Sequence, residues 1–111
     1  MGTTVRNGES AAETAFRVIA DELSRYTIVR LSATPDGVAS RRELADYVGT
    51  RSTAVETRKR VTARLHHVVL PRLEAAGLIE YDPRSATVRY YPEPVVESLL
   101  DHVEVESKES E

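Results

Sequence analysis

Residues 58–91 of the chain read RKRVTARLHHVVLPRLEAAGLIEYDPRSATVRYY, and this stretch decides the fold. Its first part repeats apolar residues at helical spacing, and Gly77 stands where such a helix would end. Two short segments follow, Leu78–Tyr81 and Ala86–Tyr91, and Pro83 between them suits a tight turn. The stretch therefore predicts one long helix followed by a two-stranded hairpin.

The helix has one apolar and one polar side. We expect it to begin near Thr53, since Thr53 and Glu56 have the spacing of a capping box, and to be kinked or broken at Pro71, which removes a helical hydrogen bond. The residues expected to face inward are Val61, Leu65, Val68, Val69, Arg72, Leu73 and Ala76. The opposite side carries Lys59, Arg60, Ala63, His66 and His67, with Arg64 on the flank and Leu70 as its one large apolar residue.

Upstream of this stretch the sequence predicts further helices. Asp21 is placed to cap the second of two consecutive segments, and residues 34–37 have the composition of a turn. Ser40 and Glu43 form a capping box that opens a short helix, which Gly49 is expected to end. The fold class is therefore mainly α with a small β-hairpin: a three-helix core, a hairpin wing and a C-terminal helix. The predicted divisions are a disordered N-terminus, the main domain, the C-terminal helix and an acidic tail: residues 1–9, 10–92, 93–106 and 107–111.

Composition limits the classes of function. The 111 residues are 41% hydrophobic and include no cysteine, which excludes disulfides and thiolate chemistry. Because the sequence has no long apolar run and no apolar signal core, we expect a soluble, cytoplasmic protein that does not enter a membrane. Because it has no phosphate-binding loop and no nucleophile elbow, we do not expect an enzyme or a cofactor.

Charge is unevenly distributed along the chain. The net charge is −3, yet residues 41–72 carry eight cations against three acids, whereas residues 93–111 carry seven acids against one lysine. The local field matters more to a phosphate than the total charge does. A cationic helix followed directly by a two-stranded wing is the layout of a winged helix-turn-helix, which reads double-stranded DNA.

DNA reading requires donors for base edges and grips for phosphates. Arginine is the most common bidentate partner of guanine, and small Ala63 allows close approach. The candidate base contacts are Lys59, Arg60, Ala63, Arg64 and His67. The candidate backbone contacts are Arg41, Arg42, Ser52, Thr53, Arg84 and Arg89.

A family resemblance supports this interpretation. The segment LHHVVLPRLEAAGLIEYD, residues 65–82, resembles the corresponding part of small winged helix-turn-helix proteins of halophilic archaea, and AFRVIADELSRYTIVRLSATPDG and SRRELADYV are similar to their earlier helices. The pattern LxxLxxAGLI is also similar to the wider ArsR-like and MarR-like regulator superfamily. The resemblance covers about residues 12–92 and implies a DNA-binding transcriptional regulator. The excess of arginine over lysine, thirteen to two, fits a halophilic background, whereas the modest net charge does not.

Three further expectations concern the type of binding partner, metal binding and dimerisation. A winged helix can instead bind protein, without sequence-specific DNA binding. We expect no metal site, because adjacent His66 and His67 diverge by about 100° on a helix. Dimerisation through the terminal helices is expected, against the alternative that the last helix folds back on its own domain. The candidate dimer residues are Phe16, Ile19, Val96, Leu99, Leu100 and Val103.

Overall fold

The computed structural model describes residues 10–52 and 57–109, with side chains described as far as residue 102. The predicted capping pair Thr53 and Glu56, the side chain of Val103, and the expected disordered residues 1–9 lie outside the described residues. Within them the chain is mainly helical and has a small three-stranded antiparallel sheet.

Two consecutive helices open the described part of the chain, α1 (Ala11–Ala20) and α2 (Glu22–Ser32). Asp21 lies between them and caps α2. Its Oδ2 accepts a hydrogen bond from the backbone N–H of Ser24 at 2.9 Å. This satisfies one of the amides that the start of a helix leaves unpaired. The predicted cap at Asp21 is confirmed.

A short strand, β1 (Val38–Ser40), leads into helix α3 (Arg41–Arg51). The capping box is present, since Ser40 Oγ accepts from the Glu43 amide at 3.0 Å and the Glu43 carboxylate accepts from the Ser40 amide at 2.9 Å. The prediction that Gly49 ends this helix is wrong. Gly49 lies inside α3, because a solvent-facing glycine lowers helix stability without blocking the hydrogen bonds that continue it.

The long helix starts later than predicted. Helix α4 (Arg58–Arg64) begins after Thr57, whose hydroxyl accepts from the Arg60 amide at 3.1 Å. It continues through a π-helical turn (Leu65–Val69) into α5 (Leu70–Ala75), and the Leu70 amide donates to the Leu65 carbonyl five residues back. The distortion expected at Pro71 is confirmed, although it takes the form of a wide turn just before the proline.

The π-turn corrects the predicted inner face. An extra residue in one turn rotates everything that follows it, so Leu70 takes the inward position expected for Val68, while Val69 stays inward as predicted. Leu70 is fully buried, although it was expected on the exposed side, and Val68 is 40% exposed. Arg72 and Ala76, also expected inside, are exposed.

Helix α5 ends as predicted. Gly77 has φ +81°, and the Leu78 and Gly77 amides donate to the carbonyls of Leu73 and Glu74 at 3.1 and 2.9 Å. This double hydrogen bond around a left-handed residue is the Schellman motif.

The sheet has the order β1-β3-β2, where β2 is Ile79–Asp82 and β3 is Thr87–Tyr90. The predicted hairpin is confirmed, and β1 adds a third strand that the sequence did not predict, pairing Ala39 with Val88. Ala86 ends the hairpin loop in the left-handed region, at φ 57°. Its carbonyl accepts from the Arg41 amide at 2.8 Å, which ties the hairpin to the start of α3.

The last helix, α6 (Pro94–Glu109), packs on α1 of its own chain. Val96 and Leu100 are buried there, so these two predicted dimer residues are not available to a second copy in this arrangement. No helix within the described ranges is long and apolar enough to span a membrane. The largest fully buried side chains of the core are Ile28, Leu31, Leu44, Leu65, Leu70 and Leu73.

Candidate nucleic-acid interface

The exposed side of α4, continued by the π-turn that follows it, carries the predicted base-contacting residues. Lys59, Arg60, Ala63, Arg64 and His67 are all exposed. Val61 and Leu65 on the opposite side are buried, at 2% and 0% exposure. The core thus holds one side of α4 while its cationic side faces solvent. Arginine at such a position presents a planar set of donors that matches the acceptor pair of guanine.

Helix α4 is held against α3, in the arrangement of two neighbouring helices joined by a short connection. Arg58 at its start forms an ion pair with Asp46 of α3, and both side chains are about half exposed. Such a surface pair contributes little stability. Arg58 is thus paired with α3, and the candidate base contacts begin one residue later, at Lys59.

A cluster that the sequence did not predict joins α3, the π-turn and β2. Arg41 Nη1 donates to the Tyr81 hydroxyl at 2.6 Å, and that hydroxyl lies 2.6 Å from His66 Nδ1. Arg41 Nη1 is also 3.2 Å from the same ring nitrogen. If Tyr81 accepts from Arg41 and donates to His66, Nδ1 must be unprotonated. His66 was expected on the exposed side, but it is half-buried and hydrogen-bonded in this cluster.

This cluster lowers the pKa of His66. The first cause is desolvation of the ring, and the neighbouring His67 and Arg41 charges act in the same direction. The His66 and His67 rings meet edge to face with centroids 4.5 Å apart. The sequence offered one indirect signal, since strand alternation places Tyr81 inward beside Ile79, and a buried tyrosine hydroxyl usually needs a partner.

The predicted backbone contacts fall into two groups. Arg42 and Arg84 are exposed, and the Arg84 amide donates to Asp82 Oδ1 at 3.0 Å, which fixes the hairpin tip. Arg41 is occupied by the Tyr81 cluster, and the Ser52 hydroxyl donates to Glu22 Oε1 at 3.2 Å. Thr53 lies outside the described residues.

Arg89 lies in an acidic environment. It is opposite Glu80 in the sheet register, and Glu74 and Asp82 line the same cleft. Three carboxylates that line the same cleft as Arg89 make this side of the hairpin unfavourable for phosphate. Arg89 is therefore a weaker candidate for backbone contact than Arg84.

A metal site needs several His, Asp or Glu side chains close together. Among residues 10–52 and the described part beyond 57, no three His, Asp or Glu side chains are placed to hold a metal ion. The arrangement can present several hydrogen-bond donors and positive charges on a rigid helix. That combination suits a polyanion with readable edges.

The molecule is thus a small helical domain with a three-stranded sheet and a basic helix face. The chain belongs to the family described as a domain of unknown function, DUF7344, which matches residues 16–89. No curated protein and no solved structure matches the chain.

Proposed function

We propose that the protein is a DNA-binding transcriptional regulator with a winged helix-turn-helix fold. The helix from Arg58 enters the major groove, and the hairpin of residues 78–91 is the wing. The observation that carries the proposal is the exposure of Lys59, Arg60 and Arg64 together on a helix whose other side is locked in the core.

The helix order and the hairpin support this assignment. Helices α3 and α4 are consecutive and pack on each other, as the two helices of a helix-turn-helix do, and the hairpin follows α5 directly. The resemblance to haloarchaeal winged-helix regulators, and to the wider ArsR-like and MarR-like superfamily, stays a prediction that agrees with this order. A homodimer in the cytoplasm that reads paired half-sites completes the proposal.

A protein-binding role is the alternative, and one observation favours it. Val68 is 40% exposed on the same helical stretch, and it is the large apolar side chain exposed there among the described residues. A protein-binding helix would present a larger apolar patch. One valine beside several cations favours DNA over a protein partner.

Selection from random duplexes tests the proposal. The full chain should enrich a discrete motif, with two half-sites about 10 bp apart if it acts as a dimer. Recovery of random sequence from a folded preparation would contradict sequence-specific reading. The wild-type protein should also retain duplexes better at low salt than at high salt, because phosphate contacts release counterions.

A further inference from the structure

A cleft of about 300 Å³ lies between α1, the first turn of α2 and α5. Its volume is at the lower end of what small-molecule sites occupy. Val18, Ala75 and Ala76 give it apolar walls. It lies on a different part of the molecule from the basic face of α4, and the proposed DNA contacts do not use it.

The charged groups that line this cleft are of one sign. Arg17 reaches it from α1 and Arg72 from α5, and no aspartate or glutamate is among its lining residues. No hydrogen bond or ion pair joins the Arg72 guanidinium to any residue that the structure describes. An arginine beside apolar walls without a carboxylate partner can accept an anion from outside the chain.

Ser24 adds an independent observation. It lines the same cleft, is 1% exposed, and its hydroxyl has no hydrogen-bond partner within the described part of the chain. A buried hydroxyl without a partner destabilises the protein, because it has lost its hydrogen bonds to water and forms none within the protein. A ligand oxygen in the cleft would supply the missing partner.

We propose that this cleft binds a small organic carboxylate. The carboxylate group pairs with Arg72 and accepts from the Ser24 hydroxyl. The carbon chain packs against Val18, Ala75 and Ala76.

A link to DNA binding would follow from the position of the cleft. Helix α5 continues the helical stretch that carries Arg60 and Arg64. A ligand bound to Arg72 would therefore change the orientation of the exposed side of α4. This consequence rests on the proposed function. Ligand binding itself does not, and it is measured without DNA.

Calorimetric titration of the full chain with hexanoate tests the site, with hexanamide as the neutral ligand of matched shape. Hexanoate should bind and hexanamide should not bind measurably. Arg72→Gln should weaken hexanoate binding about tenfold or more, as expected for loss of a charge-assisted pair. Ser24→Ala should also weaken binding while leaving the fold intact, since it removes an unpaired hydroxyl.

Arg84→Gln is the matched control, because it removes an exposed arginine at the hairpin tip that does not line the cleft. It should leave hexanoate affinity unchanged. Equal binding of hexanoate and hexanamide, equal loss in Arg84→Gln and Arg72→Gln, or no binding of hexanoate would each overturn the proposal. None of these results would bear on whether the chain binds DNA.

Discussion

The contact between Arg41, Tyr81 and His66 ties three elements together through single side chains. The Tyr81 hydroxyl on β2 is within 2.6 Å of both the Arg41 guanidinium from α3 and the His66 ring from the π-turn. Arg41 is thereby drawn away from solvent. Of the two arginines that begin α3, Arg42 is the exposed one, and we propose it as the phosphate contact.

The same cluster predicts a pH dependence of stability. Because the pKa of His66 is lowered on folding, the unfolded chain binds a proton that the folded chain gives up. The free energy of unfolding should therefore fall as the pH drops through about 6.5 and below. Urea titrations between about pH 5 and 8 measure this slope.

Two histidine variants identify the source of that slope. His66→Gln should flatten the dependence, whereas His102→Gln, at an exposed position of α6, should leave it in place. If the slope of His66→Gln equals that of the wild type, the cluster does not hold His66 neutral.

A second prediction at the scale of single residues concerns Arg84 at the hairpin tip. Arg84→Ala should weaken binding to all duplexes alike and reduce the salt slope by about one, because one phosphate contact is lost. Arg89→Ala should have a smaller effect, since Glu80 is opposite Arg89 in the sheet. Salt titrations of both variants measure this, and an unchanged slope in Arg84→Ala would mean that the tip points away from DNA.

At the scale of elements, local signals in the sequence predicted several of the helix ends. The caps at Asp21 and Ser40 and the stop at Gly77 depend on hydrogen bonds within a few residues, so their spacing could be read directly. The hairpin was predicted for the same reason. The base-contact candidates Arg60 and Arg64 lie on the exposed side of α4, before the register changes.

What the sequence could not predict depends on distant contacts. Pro71 predicted a distortion of the helix but not that it would be a π-turn, which exchanged the environments of Val68 and Leu70. Strand β1 is three residues long and is defined by its pairing with β3. The Tyr81 cluster joins residues 25 and 40 positions apart, and no local pattern signals such a contact.

Two glycines in helical contexts should respond oppositely to alanine. Gly77→Ala places a side chain at φ +81° and should destabilise the protein by about 1 kcal/mol. Gly49→Ala, inside α3, should stabilise it by about 0.5–1 kcal/mol. An added Cβ meets no atom within 4 Å at either site, so both effects are conformational. Denaturant unfolding compares them, and a stabilised Gly77→Ala would contradict the assigned turn.

At the scale of the whole molecule, the exposed apolar surface of the terminal helices bears on whether the protein forms a dimer. With Val96 and Leu100 buried, the surface that α1 and α6 leave exposed is smaller than expected. Phe16 is 63% exposed and Val95 36%, and Leu99 lines the same shallow groove. We propose that a second copy covers this groove. Ile19, another predicted dimer residue, is half-buried on α1 and is not among the residues that line the groove.

The dimer is tested by sedimentation at tens of micromolar. The wild-type chain should sediment as a dimer, and Phe16→Glu should give a monomer, because a charge on the groove cannot be desolvated cheaply. Val68→Glu, which places the same charge on another exposed apolar residue, should remain dimeric. A monomeric wild type would remove the dimer and the expectation of paired half-sites.

The central claim, that the exposed side of α4 reads DNA, is tested most directly by titrating an Arg60→Ala/Arg64→Ala variant on the selected duplex and on a scrambled one. We expect each lost arginine to cost about 1–3 kcal/mol on the selected duplex and less on the scrambled one. Thermal stability should stay within about 0.5 kcal/mol of the wild type. Arg72→Ala, in the same helical stretch but at the α1–α5 cleft, should bind both duplexes as the wild type does when no carboxylate ligand is added. Wild-type affinity of the double variant for the selected duplex would contradict the claim and favour the protein-binding alternative.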